Sequence, residues 1–407
     1  MSAGTPLAPA GGDRTAHRAE WAAVGVAFLL LGYAYGNWVA RIPAIAEATG
    51  AGPGVLGAVL LALPAGAAIS MPLVGRLCAR RPTASVVRVA AVVTPLTLPP
   101  VALARSPWTL AVVLALFGMA QGALDVSMNS NAVSAVRRAG RPLMPAFHGM
   151  YSVGGMVGAA LGGLAAAQGV GVLPHFVAAA ALGVAAALAA GRWLPPDPAP
   201  QPVQPAGPGR LSGLRRVDGL LIVLGAVGFC SALGEGAVAD WSALFLHTVL
   251  HSGEGAAAAG FAAFSVAMAL SRFGGAAVLT RYDPGLVLAA GCTLAAAGTL
   301  LAVLAPVAVL AIVGFAAVGV GLSCAFPVVL NAAGAHPLGS GPAISVVTTV
   351  GYTGFLAGPP LIGGLAQWVG LRWGLAAVAV AAATGAALAV RRRDQLRRHD
   401  PSRHPVG

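Results

Sequence analysis

The sequence predicts an all-α membrane protein: twelve transmembrane helices in two parallel-repeat six-helix bundles. Three observations carry this. The 407 residues are 57% hydrophobic and only 9% charged, whereas soluble chains carry about 25% charged residues. The apolar residues gather into stretches long enough to cross hydrocarbon as helices, about 20 residues each. Two distant segments also match in register: Tyr151 to Ala165 and Tyr352 to Ala366 lie 201 residues apart, and both end in a Gly-Gly-Leu-Ala run.

Clusters of Gly, Pro and Arg set the breaks. Residues 1–20 are polar and small, with no short apolar core before a cleavage site, and read as a cytoplasmic N-terminal tail and not a signal peptide. The first bundle, 21–193, contains spans near 21–43, 54–76, 86–104, 108–134, 142–168 and 172–193. Residues 194–217 hold the run from Pro195 to Arg210, a cytoplasmic Pro-rich linker too polar to insert. The second bundle, 218–390, has spans near 218–246, 256–280, 286–304, 306–332, 342–367 and 371–390, and 391–407 is a basic cytoplasmic tail.

Arginine placement tests the count. With the N-terminus inside, all of the 24 basic residues except Arg41, Arg105 and Arg372 fall in or beside cytoplasmic segments. That bias follows the positive-inside rule and puts both termini in the cytoplasm. The net charge of +12 therefore reflects membrane flanks. No basic helix face with interleaved aromatics suggests nucleic acid. The four cysteines lie in separate apolar segments without ligand-like pairing, so neither a disulfide framework nor a metal site is expected.

The segment that needs explaining is Ala123 to Asn131, which puts Asp125 and two amides straight after an apolar run. Gln121, Asp125 and Asn129 are spaced i, i+4, i+8 and share a face of the fourth helix. At ~1.5 Å per residue, Asp125 lies ~25 Å below Trp108, just past the bilayer centre. A charge there is costly and usually marks a substrate or proton path. The functional reading is a carboxylate that loads and releases a proton; the structural one is a tie between two helices. His148, early in the fifth helix, falls level with Asn129. It either exchanges protons with Asp125 or bonds a helix-4 amide or carbonyl. At the 201-residue shift Asp125 meets Phe326 and His148 meets Thr349, so the polar pair belongs to one half only.

The first helix carries Asn37 and Arg41, and the seventh carries Glu235 and Asp240 at similar predicted heights. One reading pairs Arg41 with Asp240 or Glu235 when the outer gate closes; the other lets Arg41 snorkel to headgroups. Trp38, Trp241, Tyr151 and Tyr352 are of a kind to stack on a sugar-like ring, although aromatics near span ends also serve as interfacial anchors.

Several stretches resemble the major facilitator superfamily, and within it the fucose:proton symporter-like branch and its uncharacterised bacterial relatives. They are Gly36 to Pro43, Gly122 to Asn129, Gly140 to Met144 with Phe147 and His148, and Glu235 to Trp241. The resemblance implies alternating access, with helices 1, 4, 7 and 10 lining a cavity and the helix-4 acid matching Asp125. Two departures stand out. Where the sugar symporters have an acid in helix 1, this chain has Asn37, and the loop after helix 2, Gly75 to Arg81, lacks the acid of the usual pattern of Gly followed by Asp-Arg and more basic residues.

The expected function is secondary active transport of a small polar solute, a sugar or sugar-like metabolite, coupled to protons by Asp125 and His148. Asn37, Trp38, Gln121, Asn129, Tyr151, Glu235 and Tyr352 would contact the solute, and Arg41 and Asp240 would gate. The alternative is proton-driven efflux of a hydrophobic or amphipathic compound. An enzyme is disfavoured, because no metal-ligand pair or phosphate-binding loop is present. A monomer in a bacterial inner membrane, without cofactor or metal, completes the expectation.

Overall fold

The computed structural model describes residues 11–139, 143–196, 219–336 and 340–398. Most of the linker expected at 194–217, and parts of both tails, lie outside the described residues.

The described residues form helices and connecting turns without strands. Six long elements make up the first part: α1 Gly11–Ala40, α2 Pro53–Cys78, α3 Thr83–Ala102, α4 Pro107–Ala139, α5 Met144–Ala167 and α6 Val172–Gly191. Six follow: α7 Gly219–Thr248, α8 Glu254–Arg281, α9 Pro284–Leu304, α10 Ala308–Gly334, α11 Ser340–Val369 and α12 Leu371–Arg391. Eleven of these contain a stretch long and apolar enough to cross a membrane; α11, at 30 residues, is the twelfth long element. Short helices Ile42–Thr49 and Arg393–Arg398 follow α1 and α12. The six long described helices of each half, an even number of crossings, bring both described ends of the chain to one end of the bundle, here called the terminal end.

Side chains facing outward are apolar, as a hydrocarbon solvent demands. Val112, Leu182 and Leu270 are all more than 60% exposed. Such a surface is intolerable in water over a whole protein girth, but costs nothing against lipid tails. Within the bundle, small residues bring backbones together. A side chain at Gly32 would collide with the Tyr151 carbonyl, which is why α1 and α5 touch along their length.

The repeat read from sequence has a backbone signature. Gly169 (φ 72°) turns α5 into α6, and Gly370 (φ 81°) turns α11 into α12. The two sit at the same 201-residue shift, and both have the positive φ that glycine adopts without strain.

At the far end, opposite the termini, the halves close on each other. A Cβ at Gly57 of α2 would lie 2.5 Å from the Pro359 carbonyl oxygen of α11. A Cβ at Gly163 of α5 would lie 2.8 Å from the Ala258 Cβ of α8. Toward the terminal end α2 and α11 diverge, and a cavity opens between the halves.

Candidate functional site: a central cavity between the halves

The cavity has a volume of about 960 Å³ and is lined from both halves. It reaches the terminal end at Thr280 and Pro284, beside the turn from α8 to α9, and ends toward the far side around Tyr35, Leu60 and Asp240. Its size suits a small-molecule site.

Two of the three residues of the α4 stripe face it. Gln121 and Asp125 line the wall, and the amide of Gln121 donates to the Leu31 carbonyl on α1 at 3.5 Å. Asn129, one turn further, stands behind Asp125. Its Nδ2 donates to the carboxylate Oδ1 at 3.0 Å and to the Asp125 carbonyl at 2.9 Å. Among the described residues no cation pairs with Asp125. His148 lines the same cavity and packs edge-on against Phe28, with ring centroids 5.2 Å apart.

Across the cavity, Glu235 of α7 lies 3.7 Å from the guanidinium of Arg272 on α8. Arg272 also donates to the Ser152 hydroxyl of α5 at 3.3 Å, tying the halves at mid-depth. Asp240 accepts from the Tyr35 hydroxyl of α1 at 3.3 Å. Tyr151 and Tyr352, the pair matched by the internal repeat, both face the void, as does Phe326 at the position corresponding to Asp125. The Tyr352 ring is tilted against Phe326 and Phe355 at 6.3 and 6.0 Å.

Besides Asn129, which stands behind Asp125 and does not line the cavity, two expected solute contacts lie elsewhere. Asn37 and Trp38 are fully buried within the first half and do not line the cavity. Asn37 Oδ1 meets His175 Nε2 at 2.8 Å, and its amide donates to the Tyr33 carbonyl at 2.8 Å. This face of α1 turns toward α6.

The expected pairing of Arg41 with Asp240 or Glu235 is also not formed. Arg41 instead donates to the Val170 carbonyl at 2.5 Å and sits 3.7 Å from Glu254 at the start of α8. Tyr35, Ser152, Glu254 and Arg272 were not singled out from the sequence. For Arg272 the signal was present: a cation inside an apolar stretch deserved the reading given to Asp125.

The family model described as Major Facilitator Superfamily matches residues 23–341. The chain belongs to the major facilitator superfamily. Its similar curated relatives are bacterial members or membrane proteins. An uncharacterised MFS-type transporter of Yersinia pestis is 34% identical over 89% of this chain and 93% of its own length. An uncharacterised transporter of Sinorhizobium fredii is 33% identical over 91% and 97%, and the membrane protein MosC of Rhizobium meliloti is 30% identical over 86% and 84%. As a superfamily member the chain is a multi-pass membrane transporter acting on small-molecule solutes.

Solved structures share the superfamily fold at low identity. A mutant of the nucleoside transporter NupG superposes with TM-score 0.75 at 15% identity, covering 91% of this chain and 99% of that one. An inward-facing, unoccupied bacterial homologue of the human lysosomal transporter Spinster gives 0.71 at 16%, over 95% and 98%. The Escherichia coli fucose:proton symporter FucP gives 0.62 at 16%, over 91% and 98%.

Proposed function

We propose that this transporter couples movement of a small polar solute, a sugar or sugar-like metabolite, to protons by alternating access in a bacterial inner membrane, as a monomer. The terminal end is assigned to the cytoplasm by the arginine bias. The supporting observation is Asp125: a carboxylate that faces the cavity, is hydrogen-bonded by Asn129, and lacks a cation partner among the described residues. Leaving such a charge in a low-dielectric setting is costly, and a proton removes the cost. His148 stands on the same wall as the second proton-handling group, while Gln121, Tyr151, Glu235 and Tyr352 present polar and aromatic surface to a solute ring. NupG is named for nucleosides and FucP for fucose and protons, which supports a polar solute.

The second reading, proton-driven efflux of a hydrophobic or amphipathic compound, is favoured by the methionines and phenylalanines on the wall, including Met71, Met128, Met268 and Phe264. Such adaptable apolar surface suits loosely defined ligands. Growth of a deletion strain on panels of sugars and nucleosides, alongside a toxicity panel of amphipathic compounds, separates the two. Loss of growth on a nutrient supports uptake; sensitisation to a compound supports efflux. Proteoliposomes with an acid-outside gradient then test coupling. Uptake of the identified nutrient that is indifferent to the gradient removes proton coupling.

A further inference from the structure

Four charged side chains on the cavity wall fall into two kinds. Glu235 has a cation, Arg272, at 3.7 Å. Asp125 and Asp240 have neutral partners: an amide for the first and a phenol for the second. Asp240 is the more buried of these two, 8% exposed, yet it opens onto the same void.

The groups around Asp240 leave it without a counter-charge among the described residues. On α1, Tyr35 is its donor, and Arg41 is engaged by Glu254. From α5 comes Tyr151, and from α8 Arg272, already held by Glu235 and Ser152. On α11 there is Tyr352, and α4 across the void contributes Asp125. From α12, Arg372 is bonded to the Val303 and Ala305 carbonyls. From α10 there is only the Cys324 thiol, and on the short helix Ile42–Thr49 Glu47 is exposed. A carboxylate so placed is stabilised far less than one with an ion pair, and a proton is the smallest ligand that neutralises it.

We infer that Asp240 is a second proton-binding site of this transporter, and that its bond to Tyr35 ties protonation to closure of the far end. The bond crosses from one half to the other: Tyr35 belongs to α1 and Asp240 to α7. Tyr35 is further fixed by an edge-on contact with Phe261 of α8, with centroids 6.1 Å apart. When the far end opens, α1 separates from α7 and α8, Tyr35 withdraws, and far-side water reaches the carboxylate. When it closes, as here, the same carboxylate faces the cavity and the terminal end. Its side of exposure therefore alternates with that of a solute. This inference builds on the proton-coupled reading of the cavity, but concerns a different residue and has its own readout.

The test needs no solute. Protein reconstituted in lipid is titrated between neutral and acid pH, and the C=O stretch of protonated carboxyls is followed by infrared difference spectroscopy. Wild type is expected to show two cavity carboxyls gaining intensity on acidification. Asp240→Asn removes one of them and Asp125→Asn the other. Tyr35→Phe moves the Asp240 band to higher frequency without removing it, because the carboxyl loses a donor; this holds the test if Asp240→Asn does not fold. An Asp240→Asn spectrum equal to wild type, a band that Asp240→Asn removes but pH never changes, or a Tyr35→Phe spectrum with neither shift nor loss overturns the inference. An unchanged spectrum in Asp125→Asn instead counts against Asp125 alone, so the two failures are distinguishable.

Discussion

Arg41 and Glu254 meet 3.7 Å apart at the far end of the molecule, one after the last turn of α1 and the other opening α8. The arginine is 3% exposed and the glutamate 39%. The pair spans the two halves at the level where the Gly163–Ala258 and Gly57–Pro359 contacts seal the cavity. We propose that Arg41 gates the far end through Glu254.

Glu254→Gln should loosen that seal modestly. A half-exposed ion pair is worth about 0.4–1 kcal/mol, which corresponds to a two- to five-fold change in population. The measurement is labelling of Ala258→Cys by a membrane-impermeant maleimide, with the four native cysteines replaced. Labelling should speed up about two- to five-fold. An unchanged rate would mean that the pair does not hold the far end shut.

Gly57→Leu should act more strongly, because the added carbon falls on backbone. Its Cβ would lie 2.5 Å from the Pro359 oxygen and 2.9 Å from the Gly363 Cα, neither of which can move without shifting α11. Overpacking of this kind costs about 1–3 kcal/mol. Spin labels at the far ends of α2 and α11 should report longer distances, with loss of the closed population. A wild-type distance distribution would contradict the assignment of this crossing as the seal.

Asn37→Ala should lower thermal stability without altering solute affinity. It removes the bond to His175 and leaves a buried imidazole nitrogen without a partner, a loss of about 1–3 kcal/mol. Thermal unfolding in detergent should show a lower Tm. An affinity change with an unaltered Tm would return Asn37 to the solute site.

Arg272→Gln should impair transport more than the double substitution with Glu235→Gln. The single change strands a carboxylate on the cavity wall, whereas the double leaves two neutral groups. Initial uptake rates of the two variants decide it: a double variant no better than the single one would show that Arg272 or Glu235 acts on the solute itself and that the two are not merely each other's counter-charge.

These contrasts also mark what was legible in the sequence. Hydropathy and arginine placement specify helices and their order, because lipid permits few alternatives. The i, i+4, i+8 spacing put Gln121, Asp125 and Asn129 on one face, and the repeat matched Tyr151 with Tyr352, both of which line the cavity. Spacing along one helix does not give its rotation against its neighbours. Asn37 was therefore given a cavity position although its face turns to His175. For the same reason the partners Tyr35–Asp240, Arg272–Glu235 and Arg41–Glu254 emerge only once the helices are packed.

The most direct test of the account compares wild type with Asp125→Asn in proteoliposomes, using the solute found by the growth screen. Two quantities are read: solute counterflow without a pH gradient, and accumulation driven by an acid-outside gradient. Asp125→Asn is expected to retain counterflow and lose gradient-driven accumulation, since the neutral amide neither takes nor gives up a proton. Equal gradient-driven accumulation by both proteins would contradict the assignment of Asp125 as the coupling carboxylate.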